Sequence, residues 1–500
     1  MTAPGHAVRQ SRQSRQGRPE SEQVAGRRLA IVVVVVLVVV GAALIDQAVG
    51  PPPSPAAPSA LSASTIPSTA AATSSWYCAG GTTGFGAQAN TTIYVTNTGT
   101  GTVPGAVSTT VNTGKASVST RQTISVPARS TIAVNPGILA PVGYGASTLT
   151  FAGGGIGVSQ VAAGPDGWTT APCASATSAN WYFASGATTP GNQLVLTLYN
   201  PTSTEAVANV SFDTDAGVLT PQLYQGLVVP AGQSVVENVG DYVQSRPTIA
   251  TVVSAQSGQI VADQLQLVST TGKTGLALAL GAPSVAPHWY FSQTTNPTAA
   301  GSSVSFMLSN PGPRAEKAVI AVGLTQGGVA PVTVAIPAKS VVPFTATTAN
   351  RIPRQVPYSV AISSTGGSGL VVAREVVAPD GASQPGFGTM PGTTEPTQQW
   401  LVPAPGAGSA PGAPVASVAS LAVSNPGSVA ARVTVAPLGG TVAQSKVLLV
   451  KPHSLLVLAQ APVGGLVTLD VRSNVPVAVE EDNVPSGATG VVSSTGLPFG

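Results

Sequence analysis

Two regimes of hydrophobic patterning divide the chain. Residues 29–45 form an apolar run without a single charge, with valine at every position from 32 to 36. Beyond residue 76 the apolar residues come in short stretches that alternate with Thr, Ser and Asn, as in Ile93-Tyr94-Val95-Thr96-Asn97 and Leu421-Ala422-Val423-Ser424-Asn425. A period of two is the signature of a half-buried strand. The stretches recur at intervals of roughly 8–12 residues with turn residues between them, which predicts all-β structure. Long amphipathic helices are not expected after residue 50, because Glu, Lys, Arg and Leu are too sparse to build them.

The alternating region repeats itself. An aromatic opener occurs four times, at Trp76-Tyr77-Cys78, Trp181-Tyr182-Phe183, Trp289-Tyr290-Phe291 and, decayed, at Trp400-Leu401-Val402. A strand then ends at Asn97, Asn200, Asn310 or Asn425, followed by Pro in three of the four units and by Thr-Gly in the first. Asn suits such a place because it tolerates left-handed backbone and bonds its own turn. Next comes a proline-containing turn: Val126-Pro127-Ala128-Arg129-Ser130, Val229-Pro230-Ala231-Gly232-Gln233-Ser234, Ile336-Pro337-Ala338-Lys339-Ser340 and Val450-Lys451-Pro452-His453-Ser454. The last landmark is a strand interrupted by a polar pair: Ser159-Gln160, Asp263-Gln264, Arg374-Glu375 and Glu480-Glu481. A period of about 105–111 residues fits one autonomous domain, not a solenoid repeat. With six to eight strands per unit, the expectation is a tandem array of immunoglobulin-like β-sandwich modules after one N-terminal transmembrane helix. The module boundaries read as 76–175, 176–284, 285–395 and 396–500.

The first 75 residues divide into three. Residues 1–28 are a basic tail, 29–45 the apolar run, and 46–75 a Pro/Ala/Ser/Thr stretch. A run of 17 residues is the lower limit for a spanning helix. Arg9, Arg12, Arg15, Arg18, Arg27 and Arg28 all precede it, which orients the tail to the cytoplasm and the bulk outside. The run exceeds the ~7–15 apolar residues of a cleaved signal peptide, so an uncleaved signal anchor is favoured over cleavage. Residues 46–75 have little to bury and read as a stalk. The expected location is therefore the cell membrane, single-pass, with the modules extracytoplasmic.

Charge changes one part of this picture. Only 8% of residues are charged, against roughly 25% in ordinary soluble domains. Once residues 1–45 are set aside, 15 basic and 16 acidic residues remain. The body thus lacks the basic excess that follows a phosphate backbone, so no nucleic-acid partner is expected. The two cysteines, Cys78 and Cys173, bracket the first module. Outside the cytoplasm a disulfide between them would persist. Two free thiols are the alternative, unusual in an exported protein.

Candidate chemistry is thin. His288 and His453 belong to different modules, and neither has a companion at ligand spacing, so no metal or other cofactor is expected. No G-x-S-x-G and no phosphate-binding glycine motif is present; Gly153, Gly154, Gly155 and Gly157 read as a tight turn. Asp213 with Asp215, and Glu480 with Glu481 and Asp482, are the carboxylate pairs a glycan-cleaving enzyme would need. The plainer reading is solvated strand-edge charge that discourages edge pairing. Trp76, Trp181, Trp289 and Trp400 are read as core plugs, with sugar stacking as the alternative, since large aromatics supply area that Val, Ala and Thr cannot. No catalytic residue is assigned.

The order WYF-x-x-G, an Asn-Pro strand end, a P-A-x-S turn and a late Val372-Ala373-Arg374-Glu375 strand resembles β modules of secreted actinobacterial proteins. The single anchor with Cys78 in the opener resembles an actinobacterial membrane-anchored family of unknown function. That resemblance covers residues 76–500; module four departs from it at Trp400-Leu401-Val402 and Lys451-Pro452-His453-Ser454. It implies location and module type and supplies no catalytic residues. The expected function is a non-enzymatic cell-envelope protein, held in the membrane by 29–45, whose modules bind a wall polymer or an envelope protein. The alternatives are a glycan-acting enzyme using paired carboxylates, and an accessory scaffold of a membrane-embedded complex.

Overall fold

The computed structural model describes residues 63–83, 88–113, 117–138, 142–382, 385–403, 416–460, 467–485 and 492–500. The basic tail, the apolar run 29–45 and the first part of the stalk lie outside the described residues. No helix among the described residues is long and apolar enough to cross a membrane. The body is all-β, with short 3-10 turns as its helical elements among the described residues.

Module two shows the common plan. Its eight strands are Asn180–Phe183, Asn192–Tyr199, Ala206–Thr214, a split fourth strand (Gly217–Leu219 and Leu227–Val229), Ser234–Asn238, Ile249–Ser257, Val261–Thr270 and Lys273–Leu280. They form two antiparallel sheets. In one the strand order is first, sixth, third, fourth; in the other it is fifth, second, seventh, eighth. Module three repeats this order with His288–Thr294, Ser303–Asn310, Glu316–Leu324, Gly328–Ile336, Ser340–Thr345, Tyr358–Ser364, Val371–Ala378 and Gly386–Pro391. Module one does the same from Ser74–Cys78 to Gly167–Pro172, with the two-residue strand Thr82–Thr83 bridging its sheets. In module four the sixth and seventh strands fuse into one 17-residue strand, Leu469–Pro485, which pairs in both sheets.

The β-sandwich expectation is met, but the strand order is not the immunoglobulin one. There the first strand pairs with the second, and the last lies beside the sixth. Here the first strand lies beside the sixth, and the seventh beside the second. The edge strands have exchanged sheets around a shared inner arrangement.

Each sequence landmark has a local physical cause. The four opener tryptophans are buried. Trp181, Trp289 and Trp400 donate their indole N–H to the carbonyls of Ile260, Leu370 and Val477, at equivalent places in their modules. Asn200 is buried, and its amide donates to the carbonyls of Thr204 and Val229 while its oxygen accepts the N–H of Thr202. Asn97, Asn310 and Asn425 repeat that clamp on their own loops. Asparagine is required because one side chain must offer both donors and an acceptor.

Cys78 and Cys173 form a disulfide. It joins the opener to the residue after the eighth strand. In modules two and three the corresponding residues are Phe183 over Gly281 and Phe291 over Gly392. A Cβ added at Gly281 would lie 2.9 Å from Phe183 Cζ, and one at Gly392 2.8 Å from Phe291 Cζ. The disulfide of module one is thus replaced by an aromatic ring seated on a bare backbone.

The four sandwiches close into a ring. The eighth strands of modules one and two, two and three, three and four, and four and one lie against each other. The closing joint is knitted by residues far apart in sequence. Thr131 and Thr468 share a hydrogen bond of 2.8 Å, and Leu401 and Leu497 of module four lie in the core of module one. Residues 63–73, read as stalk, belong to this closure. Ile66 is fully buried, donates its N–H to Pro498 O and accepts that of Gly500. Ser68 O sits where a Cβ of Gly154 would be, which is why that turn is glycine. Residues 63–73 are therefore part of the folded body, held by one buried isoleucine and a row of backbone hydrogen bonds.

Candidate functional site

The seams between modules use the same positions four times. The proline-containing turn of each module holds one residue in left-handed backbone: Arg129, Gly232, Lys339 and His453, with φ of 48°, 68°, 48° and 51°. Three of the four accept a conformation that ordinarily costs a non-glycine residue about 1 kcal/mol. The turn is locked where Ser130, Ser340 and Ser454 donate a hydroxyl back to the carbonyl three residues earlier. It docks on the third strand of the preceding module. Thr110 donates to Gly232 O at 3.1 Å. Lys339 acts electrostatically on Asp213. The backbone of His453 presses on Gly323, where a Cβ would be 2.8 Å from its carbonyl. Leu438 packs against module one, and Gly439 lies beside the carbonyl of Arg129.

The seventh strands supply the buried polar contacts. Pairing with the second strand aligns Gln160, Gln264, Arg374 and Glu481, opposite Ile93, Leu196, Phe306 and Leu421. The sequence alignment that matched Arg374-Glu375 to the other pairs is thus one residue out of register, and Ala373-Arg374 is the true equivalent. Gln160 Nε2 donates to Asp263 Oδ2 across the first seam at 2.7 Å. Across the second, Ser185 donates to Glu375 at 2.9 Å. Across the third, Arg374 pairs with Glu480 and lies 3.8 Å from Asp482, while Glu480 accepts the N–H groups of Ser292 and Gln293.

Three of the five carboxylates singled out in the sequence are therefore not solvated edge charges. Asp213, Glu480 and Glu481 are all buried. Asp215 is in the adjoining turn, 3.8 Å from Arg246, so Asp213 and Asp215 do not act as a pair. Burial pushes Asp213 up to about 6, against the pull of Lys339. It pushes Asp263 up to about 7, although Gln160 and the N–H groups of Ala79 and Gly80 favour its charge. Glu481, bonded by Asn483, is pushed up to about 8 by burial. For Glu480, burial raises the carboxyl while Arg374 opposes the rise. The positions are dictated by assembly: a carboxylate with no neighbouring cation or N–H donors could not stay in such a joint.

A small cavity of about 70 Å³ lies where the modules meet, between Ser64, Leu280, Trp289, Thr393, Trp400 and Thr495. A far larger groove, about 480 Å³, runs along the seam between modules three and four. His288 and His453, 165 residues apart in sequence, both line it, together with Tyr290, Ser359, Ser363 and Asn425. His288 Nδ1 is 3.1 Å from Ser363 Oγ. The rings of His288 and Tyr290 lie 6.4 Å apart, tilted by 31°. No local pattern announces this meeting, because it depends on how the modules face one another. Among the described residues, no three His, Cys, Asp or Glu side chains come together as a metal site.

Fold and joints define a closed ring of four β-sandwiches. Residues 154–287, from the seventh strand of module one through module two, match a family of unknown function (DUF5719). No curated protein matches the chain. Among solved structures, a Thermotoga maritima protein, described as the crystal structure of Thermotoga maritima 1070, is 19% identical over 22% of this chain and 94% of its own, with a TM-score of 0.20.

Proposed function

We propose that this protein is a non-enzymatic, membrane-anchored component of the cell envelope that presents a rigid ring of β modules to a wall polymer. The observation that carries this reading is where its charged chemistry sits. Asp263, Arg374, Glu480 and Glu481 are buried in or beside the seams between modules, where they stabilise assembly and are shielded from solvent. A paired-carboxylate hydrolase instead needs its two groups on either side of an open cleft. The Cys78–Cys173 disulfide supports an oxidising, extracytoplasmic location. The apolar run 29–45, behind six arginines, supports attachment to the membrane.

Full-length protein in mild detergent, incubated separately with isolated cell-wall polymer and with solubilised membrane proteins at physiological salt, tests the reading. Retention by the polymer without release of soluble fragments is expected. Capture of a single membrane protein and not the polymer would make it an accessory subunit instead. Release of soluble sugar or peptide would make it an enzyme.

A further inference from the structure

The four seams are built alike, and one of them departs from the pattern. The middle residue of each opener points out of its own module towards the next. Tyr77 packs against the core of module two, Tyr182 against that of module three, and Leu401 is buried in that of module one. Tyr290 is the fourth member of this set. Like Tyr77 and Tyr182 it is half-buried, but it lines the groove between modules three and four instead of packing on the core of module four. Two neighbouring positions differ as well. The third-strand residue that carries Thr110 in module one and Asp213 in module two is Gly323 in module three. The turn that presents Gly232 in module two presents His453 in module four. The third-strand side chain present at the other seams is absent here, and three rings border the space.

We propose that this groove is a binding site for an uncharged oligosaccharide. The chemistry of its walls selects that class. Tyr290, His288 and His453 offer ring faces, on which the C–H face of a pyranose stacks as other apolar groups do. Ser359 and Ser363 offer hydroxyl groups for sugar hydroxyls. Ala321, Gly323 and Ala361 make the floor nearly flat, leaving room for a ring to lie against it. No carboxylate, ammonium or guanidinium belongs to the lining, which disfavours a strongly cationic or anionic ligand. The hydrogen bond between Ser363 and His288 holds one imidazole in place, so part of the orienting cost is met before a ligand arrives. The volume falls within the ~300–1,000 Å³ of small-molecule sites.

This inference rests on the wall-polymer reading and narrows it to one place. The test is saturation-transfer NMR and calorimetry of the full-length protein with three probes: tetra-N-acetylchitotetraose, cellotetraose and maltotetraose. At least one is expected to bind saturably, with Kd of about 1 mM or tighter. Tyr290→Ala is expected to weaken it at least tenfold. His453→Gly, which suits the left-handed backbone already found at Gly232, is expected to weaken it severalfold without disturbing the fold. Tyr242→Ala, at an exposed tyrosine of module two, should leave it unchanged. Failure of all three probes to bind would overturn the proposal, as would binding indifferent to both Tyr290→Ala and His453→Gly. Wild-type retention by wall polymer that survives both variants would leave the wall reading standing and remove the groove from it. Tetraose binding without polymer retention would do the reverse.

Discussion

Arg374 of module three and Glu480 of module four form an ion pair that is almost wholly removed from solvent. The N–H groups of Ser292 and Gln293 complete the carboxylate, and the carbonyl of Gln293 accepts from the guanidinium. A pair buried this deeply matters mainly through what its loss leaves behind.

Arg374→Met would strand Glu480 in the joint. The expected loss is about 3–5 kcal/mol, the usual result of breaking a buried pair by removing one partner. Arg374→Met with Glu480→Leu should recover much of it, since apolar side chains of similar volume often replace such pairs at little cost. Thermal unfolding followed by near-ultraviolet circular dichroism measures both. A single variant as stable as wild type would show that the joint does not depend on the pair.

The buried carboxylates make a pH prediction of definite sign. Asp263 titrates near 7 and Glu481 near 8 in the folded state, against roughly 4 in an unfolded chain. Between about pH 4 and pH 8 the folded protein holds protons that the unfolded chain has released. Stability from these groups is therefore greatest at the acid end of that window and is lost as pH rises through it. The melting temperature should fall between pH 5 and pH 8.5, and Asp263→Asn with Glu481→Gln should flatten the slope. A rising melting temperature over that interval would contradict the assignment.

The module ends give a paired prediction. Reducing Cys78–Cys173 opens a loop of 95 residues, worth on the order of 4–5 kcal/mol in the chain-entropy account. Modules two and three have no such bond, so their sensitive point is the glycine under the ring. Gly392→Ala drives a Cβ into Phe291 and should cost about 1–3 kcal/mol, as overpacking does. Reductant should lower the melting temperature of wild type. The Gly392→Ala loss should be seen with or without it. A neutral Gly392→Ala would mean that the ring has room to move.

Much of the module was legible in the sequence, because its landmarks carry local physics. Trp181 opens a strand and fills a core, Asn200 clamps a loop, and Pro230 ends a strand. Each effect acts within one module and leaves a periodic trace. The joints left no such trace. The outward face of a strand has the same alternation whether it meets water or another module, so the carboxylate of Glu480 reads as solvated. Arg374-Glu375 was matched one residue out of register because both residues are charged, and only the pairing of Arg374 with Phe306 shows which one faces inward. Ile66 was hidden in a low-complexity stretch, where one apolar residue carries little weight. His288 and His453 converge only because the modules turn back on one another.

Ring closure is the claim on which the seams, the groove and the carboxylate environments all depend. It is tested most directly by a cross-link between modules one and four. Thr131 and Thr468 have their hydroxyl oxygens 2.8 Å apart. In the full-length protein, with Cys78 and Cys173 kept as they are, Thr131→Cys and Thr468→Cys should oxidise to an intramolecular bond. That bond would appear as a faster-migrating monomer on a non-reducing gel, and in the proteolytic peptide joining the two cysteines. Two persistently free thiols, or cross-linking only between molecules, would mean that the modules form an open string.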